Sequence, residues 1–292
     1  MACALSSETL ESFKKAFYDD PKNLLAQNAC STRDPLEVCL LRKTSEKTQH
    51  VYTNKVECEG KPVTDQKSSG RCWIFACLNV IRLPFVKHYE LEEFEFSQAF
   101  LFFWDKIERC NYFLNNVVEI TKRGEPVDGR LMSFLLHDPT CDGGQWDMLV
   151  NLITKHGMMP KKCFPESYSC ESSGRLNRIL KSKVFRVVGI CLGVPPETFF
   201  WEYYKKDKTY NSVGPITSLK FYEEYVKPHF NVEDKVCLVN DERPQNVFGQ
   251  LYTVDCLGNV VGGRHTIYNN QPIELLLQLA AESIKNNEVM WV

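Results

Sequence analysis

The chain has no apolar run approaching the ~18 residues of a membrane span, and its most apolar segment, ELLLQLAAESI from Glu274, is interrupted by charge and amide. It has no basic leader: MACALSSETLESF passes from a short apolar stretch, Ala2 to Leu5, straight into serines and acids, which is not the pattern of a secretory signal. It has almost no net charge, −2 over 292 residues, so nothing global draws it to nucleic acid or to a membrane surface. Local basic pairs, Lys161–Lys162 and Lys205–Lys206, read as solvated surface. Thirteen cysteines are present, yet none forms a C-x-x-C pair, their number is odd and their spacing irregular. That pattern argues against a disulfide framework and a structural zinc site, and for reduced thiols in the cytoplasm. No metal or cofactor is expected.

What is there is enough residues for about two domains, by the prior of ~150 residues each. Ser7 to Tyr18 reads as a helix with Leu10, Phe13 and Phe17 on one face, ended by Asp20-Pro21. From Cys72, Trp73, Ile74, Phe75, Ala76, Leu78, Val80, Ile81 and Leu83 leave almost no polar face, the signature of a buried central helix that Pro84 bends or ends. Ser97 is placed to cap a further aromatic helix, and Gly143-Gly144 opens one from Trp146 to His156 that Gly157 closes. Beyond residue 183 the texture turns β-like: VFRVVGICL (Val184 to Leu192), KVCLVN and QLYTVDC read as strands, with a short helix from Ser218 to Val226. The terminal EVMWV also reads as a strand, in a domain that looks interrupted. The expected organisation is an N-terminal helical, wrapping segment (1–60), a helical domain (61–183) and an incomplete β-rich domain (184–292), an α+β fold overall.

Most of the cysteines suit the interior as small apolar groups. Cys72 differs because it stands where a helix begins. There the unpaired backbone N–H groups and the positive end of the dipole favour thiolate over thiol. Gln66, across a loop containing Ser68, Ser69 and Gly70, is placed to turn its amide toward the thiol. With the Cys72 N–H it would stabilise an oxyanion formed as the thiolate attacks a carbonyl. Trp73 would shield the site and contribute to the substrate side. The alternative is that Cys72 merely fills space under an apolar helix.

The segment Gln66…Gly70-Arg71-Cys72-Trp73-Ile74-Phe75-Ala76 resembles the nucleophile segment of papain-like cysteine proteases. CDGGQWDMLVNLITKHGMMPKKCFPES (Cys141 to Ser167) resembles the stretch in which a Gly-Gly pair lies along the substrate backbone, so Gly143 and Gly144 would flank the substrate. QKSSGRCWIF, EEFEFSQAFLFFWDKIERC, DGGQWDMLVN, PKKCFPESY, GPIT, VNDERP and YNNQPI, in that order from about Leu25 onward, resemble the bleomycin hydrolase branch of that family. The resemblance implies a papain-like fold and a cytosolic cysteine aminopeptidase acting on peptides or amides through a thioester. It also implies a homohexamer with its sites facing an inner channel, and, in some members, nucleic-acid binding.

One part of the machinery is missing. Papain-like enzymes place the base histidine ~130–150 residues after the cysteine, a window, 202 to 222, that holds no histidine in this chain. The six histidines are His50, His88, His137, His156, His229 and His265; His229 follows a short helix and His265 lies in a loop, and neither suits the base. By the resemblance, the catalytic His and Asn belong to a region after YNNQPIELLLQLAAESIKNNEVMWV, and near Leu180 to Val184 the family carries a longer helical stretch that is missing from this chain. The expectation is therefore a shortened chain whose β-rich half has unpaired edges and aggregates readily. Two readings compete with the aminopeptidase: an inactive assembly partner of full-length subunits, and thiol redox chemistry at Cys72 and Cys77, which the lack of C-x-x-C disfavours.

Overall fold

The computed structural model describes residues 5–48, 51–57, 60–180 and 184–291. The chain divides into two compact units, Met1–Thr53 and Asn54–Val292.

In the first unit, Ser6 caps α1 (Ser7–Asp19) by accepting from the Thr9 N–H. Asp20 then accepts from Lys22 N–H and starts α2 (Pro21–Cys30), with Pro21 in the first turn, where its missing N–H costs nothing. Asp34-Pro35 repeats the device at α3 (Pro35–Val38), and α4 (Arg42–Lys47) follows. No described residue of these four helices is buried.

The second unit is built around α5 (Cys72–His88), which carries Pro84 inside it and buries ten of its side chains. Helix α6 (Gln98–Lys122) packs beside it, its start fixed by Ser97 accepting from Phe100 N–H. After α7 (Arg130–His137) comes α8 (Trp146–His156), whose residues Trp146 to Ile153 are all buried. Short helices α9 (Tyr168–Glu171) and α10 (Gly174–Ile179) precede α11 (Val184–Leu192). One core unites Ile74, Leu78 and Phe85 of α5, Phe100 and Phe103 of α6, and Leu149 and Ile153 of α8.

The segment Val184 to Leu192 is thus a helix and not the expected strand. Its β-branched residues also sit at helical spacing. Val188 and Leu192 are buried on one face, and α11 packs against α6, so tertiary burial overrides strand preference. Residues 181–183, where the family's longer helical stretch was expected to be missing, lie outside the described residues.

The β structure is modest. An antiparallel hairpin pairs β1 (Phe199–Tyr204) with β2 (Tyr210–Ile216), which pattern reading had not singled out. Helix α12 (Ser218–Phe221) runs on as a π-helical turn, Tyr222–Val226, matching the expected short helix. A second sheet has the order β3 (Leu238–Val239), β5 (Tyr268–Asn270), β4 (Leu251–Tyr252), with β3–β5 parallel and β4–β5 antiparallel. The strands expected at 235–240 and 250–256 are therefore present but only two residues long. Helix α13 (Ile273–Lys285) buries no residue. The terminal Glu288 to Trp291 forms no strand; Trp291 instead packs on Trp146, ring centroids 5.6 Å apart. No described helix is long and apolar enough to cross a membrane.

Candidate active site

The turn before α5 is held almost entirely by its own polar groups. Asp65 Oδ1 accepts from Lys67 N–H (2.8 Å), an Asx turn that lets Lys67 adopt a positive φ of 54°. Gln66 Nε2 donates to Ser69 O (2.7 Å), and Ser69 Oγ donates to Gln66 O (2.7 Å). Ser68 N–H donates to Glu171 O (3.0 Å), tying the turn to α9. Arg71, fully buried, donates Nε to Ser69 Oγ (2.9 Å) and Nη1 to both oxygens of Glu166 (3.0 and 2.8 Å). Helix α5 begins at Cys72 with no side chain capping it; Ile74 and Phe75 N–H donate to Arg71 O (3.0 and 3.1 Å), which leaves the Cys72 and Trp73 N–H groups for an anion forming nearby. The Cys72 side chain is exposed there, unlike Cys77 one turn on, whose thiol burial pushes well up and out of thiolate chemistry.

The second half of the site is the segment Thr140 to Gln145. Buried Lys106 of α6 donates Nζ to Thr140 O (2.6 Å), Cys141 O (3.1 Å) and Asp142 Oδ1 (2.6 Å), using all three of its protons. Asp142 Oδ2 accepts from Gly70 N–H (3.2 Å) and from Ser173 Oγ, and its Oδ1 accepts from Asn177 Nδ2 (2.7 Å). Its carbonyl accepts from Trp73 Nε1 (2.6 Å). Beyond it, Gly144 lies flat on the Trp73 ring, where a Cβ would stand 2.6 Å from ring carbons. Gly143 is exposed, with nothing within 4 Å of where a Cβ would be, so its backbone is open to an extended ligand.

Burial alone would raise the Asp142 carboxyl, but the Lys106 charge and the bonds from Lys106, Ser173 and Asn177 outweigh it and hold the pKa at about 2. A depressed carboxyl contributes stability that is present above its unfolded value and lost as pH falls through the folded one. Asp142 is accordingly expected to supply about 2 kcal/mol near neutral pH that disappears between roughly pH 4 and 2. Acid unfolding of Asp142→Asn should lack that component; equal slopes for the two proteins in that window would refute it.

Of the residues picked out by pattern, the structure brings Cys72, Trp73, Gly143 and Gly144 together, through Asp142. Gln66 lies in the same turn, and its bond to Ser69 O uses one of its two amide protons. Trp73 is only 2% exposed, so it supports the glycine pair from beneath. Three of the histidines are held in other contacts. His88 ends α5, about 24 Å along the axis from Cys72 at 1.5 Å per residue. His229 stacks on His88 with ring centroids 3.8 Å apart, which places it at that same far end. His156 ends α8, bonds Glu108 Oε1 (2.8 Å) and stacks on Trp104 (4.0 Å). Among the described residues no histidine is hydrogen-bonded to the Cys72 thiol; His50 lies outside them. No three His, Cys, Asp or Glu side chains gather into a metal-holding group among the described residues.

Sequence reasoning missed Asp142, Lys106, Arg71, Glu166, Ser173 and Asn177. Asp142 carries a faint signal, an acid directly before a glycine pair. Arg71 adjoins Cys72 but nothing beside it marks it as buried, and the others sit in helices or loops far along the chain from their partners, Lys106 36 residues from Asp142 and Glu166 95 from Arg71.

The chain is 54% identical to bleomycin hydrolase of Gallus gallus over 321 aligned residues, 99% of this chain and 70% of that protein. Bleomycin hydrolase of Homo sapiens is 53% identical over 98% of this chain and 70% of its own length. That first alignment is longer than this chain, so the relative holds residues inside the matched span that are lacking here. A crystal structure of PepW from Lactobacillus rhamnosis HN001 superposes with a TM-score of 0.90 at 32% identity, covering 99% of this chain and 70% of that one. It places these helices and small sheets in the papain-like α+β fold. The profile of the Peptidase C1-like family matches in two stretches, 4–184 and 180–292, which meet where the family's longer helical stretch was expected to be missing. With a family profile across both stretches and relatives 53% and 54% identical over nearly all of it, the chain belongs to the Peptidase C1-like family of cysteine peptidases.

Proposed function

We propose that the chain carries the nucleophile half of a bleomycin hydrolase-type cysteine aminopeptidase. Cys72 is the nucleophile, and its own backbone N–H, with the second amide proton of Gln66, stabilises the oxyanion. Gly143 and Gly144 take the backbone of a peptide or amide substrate, with Trp73 beneath them. Attack on the carbonyl expels the amine and leaves a thioester on Cys72, which water then hydrolyses. The observation that carries this reading is the exposed thiol at the first position of α5, with Gly144 packed on the neighbouring Trp73 ring.

The same structure favours a second reading for the chain by itself. No described histidine bonds the thiol, and the leaving amine and the deacylating water both need a proton carrier, a contribution of roughly 10²–10⁴ in rate. A chain with the nucleophile but no described histidine on the thiol suits a non-catalytic assembly partner of full-length subunits in a homo-oligomer, a hexamer by family resemblance, in the cytoplasm. The deciding experiment is hydrolysis of a fluorogenic aminoacyl substrate with Cys72→Ala as control. Cys72-dependent turnover at least about a hundredfold below that of the Gallus gallus relative is expected. Cys72-dependent turnover at the relative's rate would mean that a histidine of this chain reaches the thiol, and the assembly reading would fall.

A further inference from the structure

We infer that Asp142 is a positioning residue that sets the register between the nucleophile and the substrate glycines. The inference rests on the site reading above.

Three separate parts of the second unit converge on this one side chain. Gly70 N–H comes from the turn two residues before Cys72, Lys106 Nζ from the middle of α6, and Ser173 Oγ and Asn177 Nδ2 from the start of α10 and from within it. Its main-chain carbonyl binds Trp73, the residue after Cys72. Asp142 therefore grips α5 on both sides of the nucleophile while its own backbone leads directly into Gly143 and Gly144. The packing is as close as the hydrogen bonding: a Cβ on Gly70 would stand 2.8 Å from the Asp142 Cβ, and a Cβ on Gly144 would enter the Trp73 ring. Both glycines are thus required by the clasp. The thiol is exposed, and the Asp142 contacts are the ones that tie the residues on either side of it directly to the segment leading into Gly143. Displacing a reacting pair by about 1 Å can cost a hundredfold in rate. An asparagine at 142 keeps the shape but offers one acceptor oxygen where four donors now converge on two.

The test compares two reagents at Cys72. Iodoacetamide needs only an accessible thiol; an aminoacyl chloromethyl ketone needs its backbone laid along the glycines. The ratio of their labelling rates, read site by site by mass spectrometry, reports register. Asp142→Asn is expected to lower the ratio by between about tenfold and a hundredfold, with the loss falling on the inactivation step and iodoacetamide labelling nearly unchanged. A loss of stability alone would lower the melting temperature without moving the ratio. Ser173→Ala and Asn177→Ala each remove one donor while sparing the Lys106 pair, and smaller drops are expected from them. A folded Asp142→Asn protein with an unchanged ratio overturns the inference. Should that variant not fold, unchanged ratios in both single-donor variants overturn it. If the unaltered protein shows no preference of the ketone for Cys72 over exposed Cys39, the site reading itself fails, and this inference with it.

Discussion

Replacing Arg71 by methionine is expected to destabilise the protein by about 3–5 kcal/mol, the cost of leaving one partner of a buried ion pair behind. Arg71 is fully buried, its bidentate partner Glu166 is only 13% exposed, and the guanidinium carbon lies 5.1 Å and 5.2 Å from the ring centroids of Phe75 and Phe102. Methionine fills most of the volume but leaves the Glu166 carboxylate facing apolar rings and removes the donor to Ser69 Oγ, which closes the nucleophile turn. Thermal unfolding should show a large loss for the single variant. The double variant Arg71→Met/Glu166→Leu should recover much of it, because no charge is then stranded. A loss under about 1 kcal/mol for Arg71→Met would show that water reaches the pair and that the solvent-exposed scale applies. Labelling of Cys72 should slow in the single variant as well, since Arg71 immediately precedes it and orders the same turn.

Gly157→Ala is the second large effect. Gly157 ends α8 with φ 76° and ψ −155°, a region essentially reserved for glycine. A Cβ there would stand 2.1 Å from the Ser218 carbonyl oxygen, a backbone atom held by the Met158 N–H (3.1 Å), while Ser218 Oγ donates to His156 O (2.7 Å). Strain of about 1–3 kcal/mol from the backbone adds to about 1–3 kcal/mol from forced displacement. A total near 2–6 kcal/mol is therefore expected, with the melting temperature as the readout. The local consequence would be separation of the end of α8 from the start of α12. Chemical exchange of the Met158 amide should rise in the variant even where the protein stays folded. A neutral Gly157→Ala would mean that this junction opens without cost and does not anchor α12.

These two positions also show how unevenly the structure was legible. Gly157 was readable as a helix terminator because the signal is local: an apolar helical pattern, a basic last turn and a glycine. Its extreme conformation was not, because it is imposed by the approach of Ser218, sixty residues away. Arg71 looked like one more basic residue in a polar loop. Nothing nearby in sequence indicates that it is buried, since its partner Glu166 comes from a segment 95 residues on. The helix at Val184–Leu192 was misread for a related reason: β-branched residues favour strands on their own, and only the face offered by α6 decides otherwise.

The local pattern of residues is enough to set Cys72 at the start of a central helix. A run from Trp73 to Leu83 with almost no polar face can be stable only when buried on all sides, and its first residue then meets the unpaired N–H groups at the helix start. It determined the capping serines at 6 and 97 and the glycine pair before α8, for the same reason: each acts through backbone groups within four residues. What joins them comes from long-range packing. The bond from Gly70 to Asp142 spans 72 residues, and that from Lys106 to Asp142 spans 36. The stack of His229 on His88 takes both rings to the far end of α5 from the thiol. Contacts at such separations leave no periodic trace in the chain, because they depend on which buried faces meet when the helices pack and not on the residues beside them.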